Sequence, residues 1–244
     1  MSGLTTLTGI TVFTGPRPVD STKGNKDLLL NANVYATDNY KDNPSVGLVH
    51  YFNSSDIPFN TIEPLYAFAA IHFAETPPSL SSKYLPQNFS LHDYAFIGNL
   101  NHANTDPGQR CHVTASGVVI ATTPTTRTFL IKCDQYMPIL KSSTTCSLLC
   151  TIPDTKRWAK TQLPHENTAI NVSGTFDAIN RDKNQAPTSF SITVDSLSFP
   201  PRGFIATQAT SQPGPSSAGT KTGFSYAHID KKRKATDDEN SKAE

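Results

Sequence analysis

The chain has 244 residues, with 21 Lys and Arg against 20 Asp and Glu and a formal net charge of +1. Charged residues make up 17%, below the ~25% of an average soluble domain, while 30 Thr, 23 Ser and 18 Pro against 13 Gly describe a β-rich protein with many turns. No apolar run approaches the ~18 residues of a membrane span, and Met1 to Ile10 carry neither a basic start nor an apolar centre, so no secretory leader is expected.

Leu4 to Gly15 reads as a first strand. Leu28 to Thr37 alternates, with Leu28, Leu30, Ala32, Val34 and Ala36 on one face. Val46 to Asn53 follows, and its apolar phase puts Val46, Leu48 and Phe52 on the buried side. Ile57 to Glu63 contains Pro58 and is too short for a helix, so it reads as a loop. Pro64 to Ala74 and His92 to Asn101 supply two more strands. A dense cluster of turn formers, Ala103 to Gly108, then divides the chain. It sets expected boundaries of 1–102 for a first barrel, 103–110 for a linker and 111–203 for a second barrel.

The second piece is more regular. Val113 to Thr122 is a strand. Arg127 to Asp134 buries Phe129, Ile131 and Cys133, and Cys146 to Ile152 buries its even-numbered positions. Asp154 to Lys160 is short enough for about two helical turns, with Asp154 as cap. Ala169 to Ala178 and Phe190 to Leu197 close the series, with Ile170, Val172, Phe176, Phe190, Ile192 and Val194 inward. All four cysteines (Cys111, Cys133, Cys146, Cys150) fall in or beside these patterns without a CxxC pair. A four-thiolate zinc site can be written from them, but buried reduced thiols suit the apolar phase better.

Three strands, a short helix and two strands make the order of a five-stranded Greek-key barrel with a helix plugging one end. Over Cys111 to Pro201 the chain therefore resembles an OB-fold, and the first piece resembles a degenerate copy of it. The expected fold class is all-β, two consecutive OB-like barrels, with one large ten-stranded β-sandwich as the competing architecture. The two-barrel layout also resembles proteins of mushroom-forming fungi, a resemblance that implies no activity.

Catalytic patterns are missing from the sequence. The seven His show no His-x-Glu, His-x-His or His-x-x-x-His spacing, and neither a phosphate loop nor a GxSxG elbow occurs. A non-enzymatic protein without metal or cofactor is expected. Binding is the livelier reading, because OB barrels work through the outer face of their second and third strands. For single-stranded DNA or RNA that face needs aromatic platforms and cations. Alternation puts Asn31, Asn33, Tyr35, Val49, Tyr51 and Asn53 on the first barrel's outer face, with Tyr35 and Tyr51 as stacking candidates. The corresponding face of the second piece carries Thr126, Thr128, Lys132, Ser147 and Thr151, without aromatics. Arg127, Lys132, Lys156, Arg157 and Lys160 are its candidate phosphate contacts, while Trp158 reads as an anchor for the short helix.

Charge divides unevenly. Residues 1–100 carry 5 basic and 8 acidic groups, residues 101–203 carry 10 and 7, and residues 204–244 carry 6 and 5. Any polyanion contact therefore belongs to the second barrel. Residues 204–244 lack apolar periodicity and read as a disordered tail. Within it, Lys231, Lys232, Arg233 and Lys234 form a basic block that resembles a nuclear-import signal, which implies an import receptor as partner and a nuclear address. The alternative to nucleic-acid binding is a protein-assembly module, with a protein partner or a second copy on the Ser/Thr-rich faces.

Overall fold

The computed structural model describes residues 3–19, 26–35, 44–53, 59, 62–75, 89–100, 104–106, 108–137 and 142–200, with the backbone alone for 89–99 and 137. Residues 204–244, including the basic block, lie outside them, as does Ala36. Ten strands follow in order: β1 (Leu4–Pro18), β2 (Asp27–Val34), β3 (Ser45–Phe52), β4 (Leu65–Ala74), β5 (Phe89–Asn99), β6 (His112–Thr123), β7 (Thr128–Met137), β8 (Ser142–Thr151), β9 (Ala169–Arg181) and β10 (Pro187–Ser198). Among the described residues no α-helix occurs, and no helix is long and apolar enough to cross a membrane.

The strands run β2-β3-β5-β4-β1-β6-β7-β8-β10-β9 in one sheet, and the additional pairings β1–β2 and β6–β9 close it into two rings. Each ring has five strands with the same connectivity. The third and fifth strands pair in parallel, β3 with β5 and β8 with β10, and the other pairs are antiparallel. That is the Greek-key barrel in duplicate; a two-layer sandwich would not close β1 onto both β2 and β4.

Closure leaves one edge open in each ring, and the two open edges meet. The first strand of a ring pairs with the second strand only along its later half: Val12 to Pro18 of β1 with β2, and Val118 to Thr123 of β6 with β7. The earlier halves, Leu4–Thr8 and His112–Ser116, pair with each other antiparallel. Each ring thus satisfies the other's unpaired backbone groups. Gly15, at φ 57, sits where the β1–β2 register shifts, a left-handed conformation that glycine adopts without penalty.

Side chains fuse the rings further. Phe73, at the end of β4, is fully buried, with its ring centroid 4.9 Å from Phe190 and 6.3 Å from Phe176 of the second ring. Its carbonyl accepts from Thr5 Oγ1 at 2.6 Å and from Gln135 Nε2, while Thr5 N donates to Gln135 Oε1 at 3.0 Å. The buried Thr5 and Gln135 therefore satisfy each other and the incoming strand, as buried polar groups must. Glu75 accepts from Ser147 N at 3.2 Å. One hydrophobic cluster runs through both rings, and Met1–Phe204 forms one compact unit.

The inward positions expected for the second barrel are all buried, and all four cysteines are buried free thiols. Burial pushes Cys111 and Cys133 up to about 12, and Cys146 and Cys150 well above their ordinary value. Cys133 and Cys146 face each other across β7 and β8. Cys111 lies apart, packed so closely on Gly9 that a Cβ there would stand 2.7 Å from its sulfur.

Two expectations are corrected. The plug helix is a single 3₁₀ turn, Lys156–Trp158, entered through Thr155 without a side-chain cap, so Asp154 does not cap it. Asp154 Oδ1 instead lies 3.6 Å from Arg127 Nη1. In β3 the phase is reversed. Val49 pairs with Leu30 and Tyr51 with Leu28, so both belong to the core-facing set, while Phe52 pairs with Asp27 on the outside and is 60% exposed. The apolar count failed because Leu48 is also buried on the outward side, which gives Val46-x-Leu48 the look of an inward pair.

Candidate nucleic-acid interface

In the second ring, β7 and β8 hold the positions of the second and third OB strands. Cross-strand register sets their outer face pair by pair: Thr128 with Thr151, Leu130 with Leu149, Lys132 with Ser147, Asp134 with Thr145, and Tyr136 with Ser143. The inward neighbours Phe129, Ile131, Cys133, Cys146, Leu148 and Cys150 are fully buried, so the pleat turns these five pairs toward solvent. Tyr136 is 55% exposed. This aromatic was missed because the expected strand stopped at Asp134; two more residues of alternation from Lys132 would have found it.

The face is only mildly cationic. Lys132 Nζ lies 3.5 Å from Asp134 Oδ1, which also accepts from Thr145 Oγ1 at 2.9 Å. Both charges are about half exposed, so the pair is weak and a phosphate can displace the carboxylate. The β6–β7 connection at one end of β7 is a 3₁₀ turn, Pro124–Thr126, finished by Arg127 at φ 51 and φ-compatible with a tight reversal.

Arg127, Lys156, Arg157 and Lys160 gather around Trp158. Arg127 Nη2 donates to the Trp158 carbonyl at 2.7 Å, and the Arg157 guanidinium stands 5.2 Å over the indole. Trp158 is 8% exposed and packs into the core, as the anchor reading expected. Arg127 thus holds the β8–β9 connection against the barrel, whereas Lys156, Arg157 and Lys160 are exposed. Lys160 also borders a cleft of about 400 Å³ with Gln162, His165 and the exposed Phe199.

The two tyrosines proposed for the first ring are not brought together. Tyr35 follows the end of β2 and is half-buried beside Tyr66 and Asp106; burial, then those two groups, raises its phenol pKa. Tyr51 lies on the core side, edge-on to Phe59 at 5.7 Å, and packs against the hydrophobic cluster. Asn31 does face outward, accepting from Arg17 at 3.3 Å. Among the described residues no three His, Cys, Asp or Glu side chains converge as a metal site.

No family model matches this chain, and no curated protein does. Among solved structures it is similar to the single-stranded DNA binding protein from Thermus aquaticus. A deletion mutant of that protein aligns at 13% identity and TM-score 0.42 over 85% of this chain and 99% of the other. The wild type aligns at 12% and 0.37 over 90% and 98%. Neither bears on the resemblance to proteins of mushroom-forming fungi.

Proposed function

We propose that this chain is a non-enzymatic nuclear protein that binds single-stranded nucleic acid across the outer face of β7 and β8. The observation that carries the reading is Tyr136, an exposed aromatic on the second strand of an OB-topology ring, two positions from Lys132 on the same face. A ring in that place stacks on a base, and a cation beside it meets the phosphate. Lys156, Arg157 and Lys160 extend the cationic path toward the β8–β9 connection, and the Ser and Thr hydroxyls of β8 offer sequence-tolerant hydrogen bonds. Tyr35 is a secondary contact on the first ring, whose acidic balance disfavours a phosphate backbone. The nuclear address rests on Lys231 to Lys234 and an import receptor that reads them.

Fluorescence anisotropy with labelled single-stranded DNA, single-stranded RNA and duplex, each at two salt concentrations, tests the reading. Single strands should bind more tightly than duplex, and salt should weaken both. Absence of binding even at ~10⁻⁴ M and low salt, weaker than ordinary non-specific binders, refutes it. A discrete dimer or captured protein partner in that event would favour the assembly reading.

A further inference from the structure

The β8–β9 connection and the end of β10 border a cleft of about 400 Å³, within the ~300–1,000 Å³ range of small-molecule sites. None of its lining residues belongs to β7 or β8. Its walls are tied to the barrel. At one end of the connection, Thr161 N donates to the Trp158 carbonyl at 3.0 Å, and Trp158 packs into the core. At the other end, Asn167 N donates to the Val119 carbonyl at 2.8 Å, and Val119 N donates to the Thr168 carbonyl at 3.0 Å. Asn167 turns the chain at φ 61, a left-handed conformation that asparagine enters more readily than most residues. The remaining wall is the end of β10, where Leu197 pairs with Val172 of β9. A ligand therefore meets walls that are already ordered, which lowers the entropic cost of binding.

The lining divides by chemistry. Leu163 and Leu197 pack against the core and Pro164 is buried, which gives the cleft an apolar part. Phe199 is 55% exposed, so an aromatic surface is open to a ligand. Lys160, Gln162 and His165 are exposed. Lys160 brings an ammonium group, and the Gln162 amide both donates and accepts. No described residue lining the cleft is acidic; Glu166, next after His165, is not among them.

We propose that this cleft binds a single nucleotide, with the base against Phe199 and the phosphate on Lys160. Stacking needs only the π-face that every base has, and the Gln162 amide matches the donor and acceptor pattern of a base edge. Lys156 and Arg157 lie on the same connection and are exposed, so the field at this end of the barrel favours an anion. The site stands apart from strand binding across β7 and β8, since a mononucleotide here touches neither strand.

Saturation-transfer NMR on the full chain, with adenosine 5′-monophosphate as probe, tests the site. Binding should saturate with a Kd of ~1 mM or lower, and the adenine protons should receive more saturation than the ribose protons. Ribose 5-phosphate, which lacks the base, should bind more weakly. Phe199→Ala should weaken the nucleotide by about 5- to 150-fold, the loss of one stacked base. Lys160→Met should weaken it by about 10-fold or more, the loss of one charged hydrogen bond, and leave adenosine unaffected. Tyr136→Ala should leave nucleotide binding unchanged. Should Phe199→Ala lose the circular dichroism spectrum of the parent, Phe199→Leu takes its place with the same direction expected. Absence of saturable binding, equal affinity in the Phe199 variant, or equal affinity of adenosine and its monophosphate overturns the proposal. Binding lost in Tyr136→Ala and kept in the Phe199 variant would put the nucleotide on β7 and β8, and would overturn the cleft while leaving the strand-binding reading intact.

Discussion

Replacing Phe73 by Ala tests whether the two rings are one folding unit. The side chain is attached to the first ring but fully buried against the second, with Phe190 at 4.9 Å nearly perpendicular and Phe176 at 6.3 Å. Truncating a fully buried Phe costs about 3–5 kcal/mol through lost transfer energy and the cavity left behind. The two edge-on aromatic contacts, worth ~0.5–1.5 kcal/mol each, place this site toward the upper part of that range. For a unit of about 200 residues, each kcal/mol moves Tm by roughly 2–4 °C, so the expected fall is about 6–20 °C. Thermal and urea unfolding followed by circular dichroism measures it. Because the β1–β6 ladder and the Thr5–Gln135–Phe73 bonds join the rings, the variant should still unfold in a single transition at the lower temperature. A Tm within about 2 °C of the parent, or two resolved transitions in the parent itself, would refute the shared core.

Tyr136→Ala should leave Tm nearly unchanged, since the ring is exposed, and weaken single-strand binding by about 5- to 150-fold, the equivalent of the ~1–3 kcal/mol of one stacked base; unchanged anisotropy titrations would remove Tyr136 from the interface. The buried thiols make stability pH-dependent on the alkaline side. Cys111 and Cys133 stay protonated in the fold to about 12, while in the unfolded chain they ionise near 8.5. The fold therefore holds the extra protons, and its stability is intact below that value and falls as pH rises toward 12. Urea midpoints from pH 8 to 11 should drop more steeply in the parent than in the Cys111→Ala, Cys133→Ala double variant; parallel slopes would contradict the assignment. Changing Lys231, Lys232, Arg233 and Lys234 to Ala should move a fluorescently tagged chain from nucleus to cytoplasm, and retained nuclear accumulation would retire the import signal.

Much of the architecture was present in local pattern. The period-two alternation of β7, β8, β9 and β10 identified most of the residues those strands turn inward, because each buries one face and solvates the other; it missed the buried Gln135, which lies past the expected end of β7. Strand order then implied ring closure. The same rule misread β3. Leu48 and Val49 are both buried there, so alternation lost its phase and Tyr51 was assigned to the wrong side. The plug was also overextended: Asp154 to Lys160 has helical composition, but the chain turns once and returns, tied by Arg127 to the Trp158 carbonyl.

The sequence alone therefore determined that the chain is all-β, most of the residues that β7 to β10 turn into the second core, and where its basic groups cluster. Those properties depend on neighbours one to four residues away. Tertiary structure decided what depends on pairing between distant strands. It set the β1–β6 seam, the entry of Phe73 into the other ring's core, and the opposition of Tyr136 and Ser143. A one-residue shift in register exchanges the two faces of a strand, and register is fixed only when the ring closes.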